Sequence, residues 1–160
     1  MASQTVSSPN PEVSNLATPI NSTGIIKFFI GNLPVYRNGL SAQRRGLEVG
    51  MAHGYLLIGP FTMLGPLRHT DQAYLAGLGA TIGLVAILTA CLTLYTSTNP
   101  APPLPSVAVP TAPANLKDKK GWSDFTSAFF VGGAGGAAVG YFLLANIPVL
   151  SSFSILAAGQ

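Results

Sequence analysis

Residues 73–95, AYLAGLGATIGLVAILTACLTLY, contain no charged side chain. A helix of this run would be about 35 Å long, enough to cross a hydrocarbon core of about 30 Å. Backbone in lipid must satisfy its own polar groups, so such a run is confined to helix. Two further stretches reach the same length. One, 46–67, lies between Arg45 and Arg68; the other, 125–145, ends where Asn146 and Pro148 interrupt it. Only 8% of the residues are charged, against roughly 25% in ordinary soluble domains. The chain reads as an all-α membrane protein with three transmembrane helices, an extended N-terminal arm and a proline-rich loop between the second and third helices.

The remaining segments follow from those spans. Residues 1–45 are an N-terminal arm and surface segment: polar and punctuated by Pro9, Pro11 and Pro19 as far as residue 24, then mixing aromatics with Lys27 and Arg37. They lack a charged n-region followed by an apolar h-region and do not read as a signal peptide. A turn at 68–72, the loop at 96–124 and a tail at 146–160 complete the chain. Pro60 is expected to kink or end the first helix. Gly132, Gly136 and Gly140 recur every fourth residue, a spacing that lets a second helix approach to backbone contact.

Charge gives orientation and removes several functions. Lys27, Arg37, Arg44, Arg45, Lys117, Lys119 and Lys120 lie on one side of the spans and Arg68 on the other. The positive-inside rule then makes the N-terminus cytoplasmic and puts the C-terminus on the opposite side. A net charge of +3, with basic residues beside apolar runs, does not make a nucleic-acid surface. The single cysteine, Cys91, reads as a small buried hydrophobe. With no HxxxH, CxxC, nucleophile triad or phosphate loop, the chain does not read as an enzyme.

Glu48 and His53 sit inside the first span, where an ionisable side chain costs roughly 2.5–3.5 kcal/mol. Each needs a partner. Arg44 and Arg45 precede Glu48 by four and three residues on one helix face, so a salt bridge is expected there, with one carboxylate oxygen left free. His53 can serve as a neutral imidazole bonded to a nearby carbonyl or as an axial metal ligand. Its small neighbours Gly50, Ala52 and Gly54, together with Met51, leave room for a flat macrocycle. The two residues point about 140° apart and differ in depth by about 7.5 Å, so they cannot share one metal. Two other readings stay open: a transport subunit using both groups as a proton relay, and a purely structural oligomerisation subunit.

Four stretches, FFIGNLPVYRNGL (28–40), RRGLEVGMAHGYLLIGPFTMLGPLR (44–68), NLKDKKGWSDFTSAFFVGG (115–133) and the glycine-bearing spans, closely resemble the photosystem I reaction-centre subunit XI family, PsaL, of cyanobacterial type. The resemblance covers about residues 15–146. It implies a three-span thylakoid subunit, its N-terminus stromal or cytoplasmic and its C-terminus lumenal. It also implies bound antenna chlorophyll, chlorophyll a, and beta-carotene. Implied partners are the photosystem I core, its small membrane subunits and PsaL copies of neighbouring monomers, with which it assembles trimers or tetramers; nucleic acid is not among them. Glu48 and His53 match the residues that ligate the magnesium of two chlorophylls. After GPLR, an aspartate that helps hold calcium in some relatives is replaced by His69. Calcium prefers oxygen ligands, so no calcium site is expected, and His69 is expected to contact a pigment or a neighbouring subunit.

Overall fold

A computed structural model describes residues 5–6, 15–102, 105, 107–109 and 113–147. Within them, two-residue strands β1 (Thr5–Val6) and β2 (Asn15–Leu16) pair antiparallel. Four helices follow: α1 (Gly24–Asn32), α2 (Ala42–Leu64), α3 (Ala73–Ser97) and α4 (Lys119–Asn146). Apart from this two-residue strand pair the architecture is helical, as expected of an all-α chain. Residues 1–4 and 7–14 of the extended arm and the tail beyond Ile147 lie outside the described residues.

Caps explain where the helices begin. The Ser41 hydroxyl accepts from the Arg44 amide, starting α2 four residues before the expected span. Asp118 accepts from the Gly121 amide and starts α4 six residues before the apolar run. In both, the capped first turn is polar, so hydropathy alone misses it. Helix α2 also continues through Pro60 to Leu64, where the missing N–H costs one bond near the end of the helix. Helix α1 was not foreseen. Thr23 caps it, and it ends at Leu33 as Pro34 disfavours helical backbone before it.

Helices α2 and α4 run parallel and make the closest contact in the molecule. A Cβ at Gly46, Gly50 or Gly54 would strike the carbonyls of Phe125, Phe129 and Gly133 in turn. From the other side, Cβ atoms at Gly132 and Gly136 would strike the carbonyls of Leu47 and Met51, and one at Gly140 would meet the Ile58 side chain. The glycine repeat of α4 is therefore half of a two-sided interlock, and its partner belongs to the same chain. Helix α3 lies antiparallel against both, Thr62 of α2 on Gly77 and Val85 against Gly133. Val85, Phe125, Phe129, Leu116 and Ala42 form the buried core.

The outside of the bundle is apolar. Leu56, Leu64, Ile87, Leu94, Val131 and Phe142 are all more than half exposed. Threonines 81, 89, 93 and 96 return their hydroxyls to carbonyls one turn back on α3, which hides their polarity within the helix. Among the described residues, α3 and α4 are long and apolar enough to cross a membrane. Cys91, expected inside, is exposed on α3.

At the end of the bundle that holds the start of α2, one buried arginine ties three segments together. Arg45 donates from Nη1 to the carbonyls of Pro34 and Val35 and from Nε to Asn115 Oδ1. Asn115, in the 3-10 turn Ala114–Leu116, donates in turn to the Leu40 carbonyl. The α1–α2 connection, which reverses at Gly39 with φ 79°, is thus fixed to the loop before α4.

Candidate functional site

His53 lies on the α2 face turned toward α3. Its Nδ1 is 2.8 Å from the Val49 carbonyl. A carbonyl oxygen only accepts, so Nδ1 carries the hydrogen, and the tautomer with that hydrogen has its lone pair on Nε2. Metal-binding histidines are prepared in this way, one nitrogen held by a backbone oxygen and the other left to coordinate.

The groove at His53 is built from three helices. Val49 and His53 of α2, Leu88, Cys91, Leu92 and Tyr95 of α3, and Trp122, Phe125 and Phe129 of α4 enclose about 440 Å³. Its rings form a continuous series. Tyr95 meets Trp122 edge-on at 5.2 Å, Trp122 meets Phe125 at 5.7 Å, Phe125 stacks on Phe129 at 6.4 Å, and Phe129 meets His53 at 5.4 Å. Such a surface suits a flat, conjugated, apolar ligand. The space lies along the aromatic side of the histidine. Gly50 and Gly54, expected to leave room for the macrocycle, are instead filled by the backbone of α4.

Glu48 stands on another face of α2. Arg37 Nη2 donates to Oε1 at 2.6 Å and to Oε2 at 2.5 Å, and Arg44 Nε donates to Oε1 at 3.2 Å. The expected salt bridge is present through Arg44, but Arg45 takes no part: it points the other way, into the staple described above. Its place is taken by Arg37, eleven residues before Glu48, which no helical spacing could reveal. An ionised carboxylate offers about four lone-pair positions. Three are used here, and one on Oε2 remains for a cation.

Glu48 and His53 therefore do not converge, in agreement with their spacing. His69 is exposed in the turn between α2 and α3. Among the described residues no group of three or more histidines, cysteines or acids is placed to hold a free metal ion. Sequence reasoning missed Arg37, Asn115, the aromatic series and the glycines of α2. The last two had a visible signal: Trp122, Phe125 and Phe129 fall on one helical face, and Gly46, Gly50 and Gly54 repeat the spacing of the α4 glycines.

An apolar helical bundle, with helices long and apolar enough to cross a membrane, defines the class of a helical membrane subunit. The family described as photosystem I reaction centre subunit XI matches residues 5–149. Subunit XI of Mastigocladus laminosus is 53% identical over 143 residues, covering 89% of this chain and 83% of that protein. That of Nostoc punctiforme is 55% identical over 142 residues, covering 88% and 82%. That of Synechococcus elongatus is 53% identical over 151 residues, covering 93% and 90%. The chain belongs to the photosystem I reaction centre subunit XI family, PsaL.

Proposed function

We propose that this chain is a pigment-binding subunit of photosystem I in the thylakoid membrane. It would cross three times through α2, α3 and α4, with the N-terminus on the cytoplasmic or stromal side. The observation that carries the pigment reading is the His53 ring, its Nδ1–H committed to the Val49 carbonyl and its Nε2 lone pair free beside an aromatic groove. Chlorophyll, when bound, supplies light absorption and the passage of excitation toward the reaction centre.

The protein's part is to position and confine. His53 would hold one magnesium through Nε2. The rings of Trp122, Phe125 and Phe129 would bound the macrocycle and keep water from competing for the metal. Glu48 would hold a second magnesium through Oε2, with Arg37 and Arg44 fixing its carboxylate. Carotenoid would occupy the apolar outer surface.

That α2 spans although it carries Glu48 and His53 is supported by its interlock with α4. A helix held backbone to backbone along another shares its depth. Assembly with further copies of the chain would use exposed apolar faces, because the α4 glycine face is already occupied by α2. The test is the chlorophyll content of purified photosystem I carrying His53→Leu. Loss of one chlorophyll per copy is expected, and an unchanged count in an assembled complex would sink the ligand assignment.

A further inference from the structure

Arg45 is only 4% exposed, yet among the described residues it forms no ion pair; the carboxylate nearby, Glu48, is bonded to Arg37 and Arg44. Three arginines thus share one negative charge at this end of α2, an excess of two positive charges. A buried cation without an anion is costly. Hydrogen bonds to Pro34, Val35 and Asn115 occupy three of its five N–H groups. The two on Nη2 have no hydrogen-bond partner among the described residues. Among the described residues, the buried side-chain polar atoms lacking a partner are Thr62 Oγ1 and Trp122 Nε1, so Nη2 is not sealed in. Arg45 lines, with Tyr36, Asn38, Gly39, Pro113 and Asn115, a cavity of about 360 Å³.

We propose that this cavity binds the tetrahedral oxyanion of an anionic headgroup, a phosphate or sulfonate, with Arg45 Nη2 as its charged anchor. A planar carboxylate is best matched by a two-nitrogen edge of a guanidinium. Both such edges are compromised here, the Nε edge by Asn115 and the Nη1 edge by Pro34 and Val35. What remains is one nitrogen, with Tyr36 and Asn38 among the residues lining the cavity, and donors from separate directions suit several oxygens on a tetrahedral centre. The segment leading to the cavity favours a lipid as the source. Helix α1 exposes Ile25, Phe28 and Phe29 beside Lys27, the composition of a helix lying in a membrane interface. The inference is independent of pigment binding at His53 and Glu48.

Asn38 is exposed and outside the Arg45 staple, so Asn38→Asp places a negative charge at the cavity without breaking the fold. Photosystem I complexes carrying the wild-type chain or Asn38→Asp would be stripped of lipid. They would then be titrated with phosphatidylglycerol vesicles, phosphatidylcholine vesicles and inorganic phosphate, and bound lipid and phosphate counted per complex. The wild-type complex should take up one more phosphatidylglycerol per copy, with affinity falling about tenfold or more in the variant and phosphatidylcholine uptake equal in both. Saturable inorganic phosphate binding with the same dependence on Asn38, and no lipid difference, would keep the oxyanion site and assign it to a free anion. Equal binding by both complexes in every arm would overturn the proposal, as would a protein carboxylate occupying the cavity in the intact complex.

Discussion

Arg37 sets the direction of the Glu48 carboxylate, reaching both oxygens through one nitrogen, while Arg44 holds Oε1 from one turn away. Arg37 and Glu48 are both partly exposed, so the pair is worth about 1 kcal/mol rather than the full value of a buried ion pair. A double-mutant cycle of Arg37→Gln with Glu48→Gln, read as detergent-resistant unfolding, should give a coupling of that size that shrinks at high salt. No coupling would mean that Arg37 does not hold the acid. Asn115 carries more. Asn115→Ala removes the acceptor from Arg45 Nε and the donor to Leu40, leaving a buried charged donor unmatched at a cost of about 1–3 kcal/mol. Neither contact was legible in the sequence, because Arg37 lies across the Gly39 turn from Glu48 and Asn115 is separated from Arg45 by 70 residues. Glu48 and His53 were legible, because ionisable groups in an apolar run stand out against their surroundings.

At the scale of the helices, the α2–α4 interlock makes a sharp distinction among glycines. Gly50→Ala or Gly133→Ala would press a methyl group into its neighbour, the Phe129 carbonyl for the first and the Val85 side chain for the second. Each should destabilise the bundle by about 1–3 kcal/mol, the usual cost of overpacking. Gly79→Ala meets nothing within 4 Å, and should be neutral or stabilise α3 by up to about 1 kcal/mol through helix propensity. Thermal unfolding of the three variants in one detergent would show this ordering or contradict it. Helix existence was readable because lipid-length apolar runs have few alternatives. Helix ends were less so, since the Ser41 and Asp118 caps add polar turns that belong to the helix but not to the span. Helix α1 was hidden by Gly31 and Pro34, which made a nine-residue helix look like broken surface chain.

For the whole molecule, parallel α2 and α4 with antiparallel α3 place the α2–α3 turn at one end and the loop before α4 at the other. With Cys91 replaced by serine, a membrane-impermeant maleimide added from the cytoplasmic side should label Lys119→Cys and spare Thr70→Cys. Labelling of both from that side would contradict three crossings. The central claim is that this bundle presents His53 and Glu48 to two separate chlorophylls. The most direct measurement is a density map of the intact photosystem I complex in which the magnesium ligands are visible. One magnesium should lie within bonding distance of His53 Nε2, in the groove of Trp122, Phe125 and Phe129, and another at Glu48 Oε2. A His53 Nε2 facing lipid, or bonded to a protein group in place of a metal, would contradict the account.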